Sequence, residues 1–345
     1  MDRRVSTVLL AGVLALTLAA CGAQVRESGG GQEGGGGGGQ EGPLRLAVVP
    51  KAVGFDFWEQ VRIGAQCAAK EAGGSEVDIQ WDGVTAETNV SGQVDLLTNF
   101  ATQGVEGMVY AATDAKVLAD VSQNALDQGV TVVNIDSGTD PQPQQVPVVA
   151  TDNVAAAEEA TEYLVEELGG KGEVAFIPFQ PGTATNDTRT EGFKNVLKEN
   201  PNVKLVAEQS SESDQNVALE VTENILTANP NLDAIYAANE PGVLGAAEAV
   251  RRAGKEGEIT IVGWDTAPDE VKAVEEGVVS ALVAQNPFRM GYDGTNAAID
   301  AIRSDAQLED IDTGSTLVTQ KNLDDPDVKA VLEPSCSNKP EVSQQ

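Results

Sequence analysis

The chain has 345 residues, of which 41% are hydrophobic, so it can bury more than one apolar core. Its 54 acidic residues against 22 basic ones give a formal charge of −32, which repels nucleic acid and excludes DNA and RNA as partners. The sequence contains no histidine, which excludes histidine-based catalytic triads and histidine-ligated zinc sites. We expect no metal and no cofactor.

The first residues have the organisation of a signal peptide. Arg3 and Arg4 supply positive charge, and residues 8–20 form an apolar run that is too short to span a bilayer comfortably. Small residues precede Cys21, as in the lipobox of bacterial lipoproteins, where the cysteine receives a diacylglycerol and the chain is cleaved before it. We predict a signal peptide at residues 1–20 and an exported protein, lipid-anchored through Cys21 to the outer face of the cell membrane or periplasmic. An ordinary secretory signal is the alternative.

Residues 21–43 combine the predicted anchor with a glycine-rich tether, which we expect to be a flexible coil. Its glycines do not indicate a phosphate-binding loop, because no strand precedes them and no Gly-Lys-Ser/Thr follows. The two cysteines beyond the tether, Cys67 and Cys336, are left as a pair in an oxidising compartment. We predict a disulfide that joins the first helix to the C-terminal tail; two separate buried thiols are the alternative.

From residue 44 onward, β-rich runs alternate with amphipathic helical segments, which predicts parallel sheets with helices on both faces. The predicted strands are residues 44–49, 77–80, 107–110, 130–135, 146–150, 173–177, 203–208, 234–236, 260–262 and 279–284. The predicted helices are residues 57–72, 90–102, 116–127, 154–168, 188–199, 215–228, 242–253, 269–275 and 287–302.

The pattern restarts near residue 146, so we predict two α/β lobes with chain crossings near Thr151, Asn286 and Gly314. The predicted N-terminal lobe comprises residues 44–151 and 286–314, the C-terminal lobe comprises residues 152–285 and 315–336, and residues 337–345 form a tail.

Functional loops of parallel sheets lie at the carboxyl ends of their strands, and in this chain those ends carry aromatic, acidic, amide and basic side chains. The candidate ligand-binding residues are Lys51, Phe57, Trp58, Asp136, Asp187, Arg189, Asn239, Trp264, Asp265 and Gln285. Aromatic faces cover the apolar faces of a sugar ring, and planar polar groups hydrogen-bond vicinal hydroxyls. The set therefore predicts a site for a neutral, polyhydroxylated small molecule.

Motifs at these strand ends make the chain resemble, over nearly all of residues 44–320, the type I periplasmic sugar-binding proteins of ABC transporters, the ribose-binding-protein-like group. The motifs are LAVVPK at 46–51, Phe57-Trp58, Gly64-Ala65, IDS at 135–137, RTEGF at 189–193, ANE at 238–240, VGWD at 262–265 and AQNP at 284–287. The resemblance implies a periplasmic binding protein-like I fold: two Rossmann-like lobes with parallel sheets, joined by a three-segment hinge. It also implies a monomer without enzymatic activity that captures a monosaccharide or sugar-like polyol for a permease.

By the same resemblance, Phe57 and Trp58 from one lobe and Trp264 from the other stack on the ligand, with plain core packing as the alternative. The resemblance assigns hydroxyl binding to Asp136, Asn239, Asp265 and Gln285. A glycosidase that uses Asp136, Asp187 and Asp265 is the enzymatic alternative. Pairing with a ligand explains these carboxylates without catalysis.

The chain departs from the ribose binders at three positions, and two of these departures make the expected site less basic. Asp187 and Ser137 stand where those proteins carry arginines, and Ser213 stands where they carry a third aromatic residue. The Pro50-Lys51 segment also resembles the rhamnose and autoinducer-2 binders, in which the lysine reaches the ligand. Lys51 either does so here or is a solvated loop residue. An autoinducer-2-like ligand and a ligand-presenting subunit of a sensor or chemoreceptor therefore stay open as alternatives.

Overall fold

The computed structural model describes residues 42–304 and 306–340. The predicted signal peptide, the lipidated Cys21 and nearly all of the tether lie outside the described residues. Within the described part of the chain, no helix combines the length and the apolar character that a membrane span needs.

Strands and helices alternate along the chain. The strands are β1 (Leu44–Val49), β2 (Val77–Trp81), β3 (Gly107–Tyr110), β4 (Thr131–Ile135), β5 (Val148–Ala150), β6 (Gly172–Ile177), β7 (Val203–Glu208), β8 (Ala234–Ala237), β9 (Thr260–Trp264), β10 (Ala281–Gln285), β11 (Ile311–Asp312) and β12 (Ser315–Val318). The helices are α1 (Asp56–Glu71), α2 (Val90–Thr102), α3 (Ala115–Asp127), α4 (Asn153–Glu167), α5 (Ala184–Glu199), α6 (Gln215–Ala228), α7 (Glu240–Ala253), α8 (Pro268–Glu275), α9 (Pro287–Ser304) and α10 (Pro326–Leu332).

The strands form two sheets, which confirms the predicted two-lobe α/β fold. The strand order is β11-β5-β4-β3-β1-β2 in the first sheet and β12-β10-β9-β8-β6-β7 in the second. Neighbouring strands run parallel except β12, which is antiparallel to β10. Central strands such as β3 and β8 are apolar throughout and fully buried, because helices cover both faces of a parallel sheet.

The chain passes between the two sheets three times. It leaves the first sheet after β5, returns after β10 when α9 packs against α1 and β4, and crosses again between β11 and β12. Thr151, Asn286 and Gly314 lie in these connections, and the Thr151 hydroxyl donates to the Gly314 carbonyl at 3.4 Å. Where each lobe begins and ends stays a prediction.

Glycines bring α1 and α9 into close contact. A Cβ atom added at Gly64 would collide with the backbone of Phe288, and one added at Gly291 would collide with the backbone of Val61. The interior is close-packed, so only glycine fits at these two positions. Because α1 begins beside the cleft, this packing fixes where its first turn lies.

Two helices at the cleft begin earlier than the sequence pattern predicted. α5 begins at Ala184 rather than residue 188, because the Thr183 hydroxyl caps it by accepting from the Asn186 amide. α7 begins at Glu240 rather than residue 242, and Asn239 caps it by accepting from the Gly242 amide at 3.1 Å. The elements β11, β12 and α10 were missed because they are short and carry little periodic signal.

The C-terminal segment returns from the second lobe to the first. Val328 of α10 belongs to the apolar core of the second lobe. A few residues later, Cys336 forms a disulfide with Cys67 of α1, with the two Cα atoms 5.5 Å apart. Beyond it, the Lys339 ammonium pairs with the Glu71 carboxylate at 2.8 Å. The tail thus connects the two lobes in addition to the three crossings.

Candidate ligand-binding site

A cavity of about 300 Å³, counting its open mouth, lies between the lobes at the carboxyl ends of both sheets. The first lobe lines it with Lys51, Phe55, Phe57, Trp58, Glu87 and Asp136, and the second with Phe179, Arg189, Asn239, Glu240, Pro241, Asp265 and Gln285. The structure therefore brings together all of the predicted ligand-binding residues except Asp187 and Trp264.

Asp187 is exposed and does not line the cavity, which corrects its predicted role. Successive helical residues are about 100° apart, so residues two positions apart face opposite ways. Arg189 faces inward from α5 and is only 2% exposed, and Asp187 consequently faces solvent.

Trp264 is fully buried and lies beneath the cavity wall rather than in it. Its indole N–H donates to the Tyr236 hydroxyl at 2.7 Å, and the Arg189 guanidinium lies 3.8 Å from its ring centroid. The predicted stacking on a ligand is therefore corrected: Trp264 packs in the core and supports Arg189 from below.

Lys51 is 3% exposed, so the interpretation as a solvated loop residue is wrong. Its ammonium pairs with the Asp136 carboxylate at 2.8 Å and donates to the Thr185 hydroxyl at 3.0 Å. The same ammonium lies 5.8 Å from the Trp58 ring centroid and 5.3 Å from that of Phe179. Lys51 thus neutralises a buried carboxylate of its own lobe and reaches the other lobe.

Two acidic site residues have unusual backbone conformations. Asp136 has φ of 57° and Asp265 has φ of 78°, in the left-handed region that non-glycine residues seldom adopt. Each follows the end of a central strand, β4 or β9. Strained backbone of this kind is concentrated at ligand-binding sites, and here it occurs where both carboxylates meet the cavity.

Arg189 is the cation of the second lobe. Its Nε donates to the Asn153 side chain at 2.8 Å, and its Nη1 donates to the Ala238 carbonyl at 2.7 Å. Burial lowers the pKa of the guanidinium and the nearby Asp265 counteracts this, so Arg189 stays charged. These two hydrogen bonds and the Trp264 ring hold the guanidinium in position without a ligand.

Asp265 organises the floor of the cavity. One carboxylate oxygen accepts from the Gln285 amide at 2.7 Å, and the other accepts from the backbone N–H of Glu240 at 2.9 Å. Burial raises the pKa of Asp265, while Arg189 acts in the opposite direction. The Gln285 side-chain oxygen is buried and has no hydrogen-bond partner within residues 42–304 and 306–340, which leaves an acceptor for a ligand hydroxyl.

Five residues that line the cavity were not predicted as ligand-binding residues: Phe55, Glu87, Phe179, Glu240 and Pro241. The loop after β2 carries Glu87, and Phe179 follows β6, so both obey the strand-end rule that found the others. Glu240 stands inside the ANE motif. Burial raises the pKa of Glu87, and burial together with the charge of Asp265 raises the pKa of Glu240 to about 7.

Several contacts cross the cleft besides the one made by Lys51. The Ser213 hydroxyl donates to Glu87 at 2.6 Å, and the Ala115 amide donates to the Gly182 carbonyl at 2.8 Å. The Glu240 carboxylate accepts from the first amides of α1. These contacts define a closed arrangement of the lobes. Within the described ranges, no cluster of acidic or cysteine side chains is placed to hold a metal ion.

Residues 46–306 match the family described as a periplasmic binding protein domain. The chain belongs to this periplasmic binding protein family. The chain is 34% identical to the D-allose-binding periplasmic protein of Escherichia coli over 265 residues. This alignment covers 75% of this chain and 84% of that relative.

Two solved structures of solute-binding proteins match most of the chain. A carbohydrate transporter solute-binding protein from Agrobacterium radiobacter, in complex with D-arabinose, is 26% identical and has a TM-score of 0.81 over 85% of this chain and 100% of its own. An ABC transporter solute-binding protein from Agrobacterium vitis, with bound D-fucose, is 30% identical with a TM-score of 0.80 over 84% and 100%.

Proposed function

We propose that this protein is an extracytoplasmic solute-binding lipoprotein that captures a monosaccharide or a sugar-like polyol between its lobes and delivers it to an ABC transporter permease. The observation that carries the proposal is the cavity at the carboxyl ends of both sheets. Aromatic rings and buried polar groups from the two lobes share that cavity. Relatives that bind D-allose, D-arabinose and D-fucose support the choice of ligand class.

The chemistry of the lining suits a ring with many hydroxyls. Phe57, Trp58 and Phe179 offer apolar surface to C–H groups, and Lys51 and Arg189 offer N–H donors. The neighbouring carboxylates and amides offer acceptors, and a hydroxyl can both donate and accept. A ligand that leaves one buried polar group unpaired loses about 1–3 kcal/mol, so the closed site selects among stereoisomers.

Transport follows from closure of the lobes. A ligand that touches both lobes stabilises the closed form, and the three crossings between the sheets act as the hinge. The closed form then docks on the permease as a monomer. The lipid on Cys21 and the tether keep it near that permease and raise its effective concentration. No catalytic step is proposed, because ligand binding accounts for Asp136 and Asp265.

Thermal unfolding of the purified protein against D-allose, D-ribose, D-arabinose, D-fucose and xylitol tests this function. A ligand at 100 times its dissociation constant stabilises the folded protein by about 2.7 kcal/mol. We expect at least one sugar or polyol to raise the melting temperature of the wild type and not that of Asp265→Ala, while Asp187→Ala behaves like the wild type. A panel in which nothing stabilises the wild type would contradict the proposal.

The position of Lys51 favours a second candidate, an autoinducer-2-like or other small polar ligand. Lys51 lines the cavity, and the Pro50-Lys51 segment resembles binders in which this lysine reaches the ligand. The same closed form could also present a ligand to a chemoreceptor. Mass spectrometry of the ligand that co-purifies with the protein separates the ligand classes.

A further inference from the structure

The first helix of the cleft lacks a capping side chain from its own lobe. The N-cap position of α1 is Phe55, whose side chain cannot accept a hydrogen bond, and the first intrahelical bond reaches only the Glu59 amide. The amides of Asp56, Phe57 and Trp58 therefore need partners from elsewhere. By contrast, α3, α5, α6 and α7 are capped within their own lobes by Asp114, Thr183, Asp214 and Asn239.

The missing acceptor comes from the other lobe. One oxygen of the Glu240 carboxylate accepts from the Phe57 amide at 3.2 Å, and the other accepts from the Asp56 amide at 3.4 Å. Glu240 is the first residue of α7, and it is only 7% exposed in the closed form. A carboxylate at this place also interacts favourably with the positive end of the α1 dipole.

We propose that Glu240 is a positioning residue that caps α1 across the cleft and thereby acts as a latch for the closed, ligand-loaded form. The proposal rests on the proposed function, since it assumes that the lobes separate to release ligand. When they separate, Glu240 and the first amides of α1 return to water. The capping bonds are therefore specific to the closed form.

The latch is connected to the floor of the ligand cavity through one carboxylate. Asp265 accepts from the backbone N–H of Glu240 at 2.9 Å with one oxygen and from the Gln285 amide at 2.7 Å with the other. Both Asp265 and Gln285 line the cavity. A ligand that orders Asp265 therefore also orders the first residue of α7, which places the Glu240 side chain opposite α1.

The contact is made to backbone amides, so the latch does not recognise the ligand. Its contribution to the binding free energy should be the same for every sugar that lets the lobes close. A residue that bonds one particular hydroxyl would instead affect each sugar differently. The latch should also slow dissociation more than it speeds association, because it forms only after the lobes have met.

Stopped-flow kinetics and titration calorimetry with D-allose, D-ribose and D-fucose test the latch. We expect Glu240→Ala to raise the dissociation rate about 3- to 30-fold, the range that loss of a helix cap provides, with little change in association. The factor should be the same for each sugar that binds. Glu240→Gln keeps a side-chain oxygen as acceptor and should recover most of the loss. Asp187→Ala removes an exposed carboxylate outside the cavity and serves as the matched control.

Three outcomes would overturn the latch. The first is a dissociation rate of Glu240→Ala within 2-fold of the wild type, and the second is an increase in that rate that differs from sugar to sugar. The third is a Glu240→Gln variant that releases sugar as fast as Glu240→Ala. Amide hydrogen exchange at Phe57 adds a test at saturating ligand, either a sugar of the panel or the ligand that co-purifies with the protein. Protection of this amide that is equal in the wild type and in Glu240→Ala would exclude the latch. If no sugar of the panel binds the wild type, the proposed sugar-binding function is contradicted, while the co-purified ligand still tests the latch.

Discussion

Carboxylates outnumber cations among the side chains that line the cavity. The acids are Glu87, Asp136, Glu240 and Asp265, and the cations are Lys51 and Arg189. Burial makes each additional negative charge costly, which is why the pKa values of Glu87, Asp265 and Glu240 are all raised. The site is therefore rich in acceptors, and it suits a ligand that donates several hydrogen bonds.

We expect Glu240 to make ligand affinity depend on pH. Its pKa is about 7 in the closed form because burial and the charges of Asp265 and Asp56 disfavour ionisation, against an ordinary value of 4.5 when it is exposed. At pH values between 4.5 and 7, closure of the lobes therefore takes up a proton. This proton uptake stabilises the closed form fully below pH 4.5, and the stabilisation is lost as the pH rises through 7. We expect sugar to bind about tenfold more tightly at pH 6 than at pH 8 by titration calorimetry.

The control for the pH dependence is Glu240→Gln, which should flatten it. Other charged groups lie near Glu240. Asp265 and Asp56 act on its pKa directly, Glu270 of α8 interacts with its charge, and Arg189, Asp136 and Glu87 line the same cavity. Burial raises the pKa of Glu270 in the same direction. An unchanged slope in Glu240→Gln, or tighter binding at pH 8, would contradict the assignment to Glu240.

At the scale of elements, the position of α1 depends on its contact with α9. The first turn of α1 carries Phe57 and Trp58 into the cavity and presents its amides to the second lobe. Gly64 of α1 and Gly291 of α9 set how closely the two helices approach, because no side chain fits at either position. Packing far from the cavity therefore determines where two of its aromatic lining residues lie.

Gly64→Ala should destabilise the protein by about 1–3 kcal/mol, since the added methyl group collides with the backbone of Phe288 and forces the helices apart. Chemical denaturation measures the loss, and sugar affinity should fall with it because α1 moves. Gln66→Ala, on an exposed position of the same helix, is the matched control and should change neither quantity. Unaltered stability in Gly64→Ala would mean that the helices separate at no cost.

At the scale of the whole molecule, the two lobes are held by more than the hinge. Three chain crossings connect the sheets, and the C-terminal segment adds a covalent link from α10 of the second lobe to α1 of the first. The link closes a loop of 269 residues in sequence. Such a loop restricts the unfolded chain strongly, and it also ties the tail to the helix that begins at the ligand cavity.

The double variant Cys67→Ser/Cys336→Ser should lose about 2–5 kcal/mol of unfolding free energy, because the unfolded chain gains conformational freedom. Urea denaturation measures this loss, and the variant should still bind sugar because neither cysteine lines the cavity. A thiol titration of the denatured, unreduced wild type provides the check. Two reactive thiols from Cys67 and Cys336 would contradict a disulfide.

The sequence by itself determined the two-lobe α/β fold and most of the site. Buried apolar runs are local signals, so strands such as Leu44–Val49 and Val203–Glu208 were predicted with the bounds that the structure has. The rule that functional loops follow parallel strands located Lys51, Asp136 and Gln285, and the structure brings all three to the cavity.

Only the tertiary structure decided which way those side chains face and what they contact. Asp187 and Arg189 are two residues apart, and no local signal says which of them α5 turns inward. Trp264 lies one residue before Asp265, yet it packs beneath Arg189 instead of lining the cavity. The cap that Glu240 provides to α1 joins residues 183 positions apart, and it exists only when the two lobes meet. Contacts of this kind depend on long-range packing, which local periodicity does not encode.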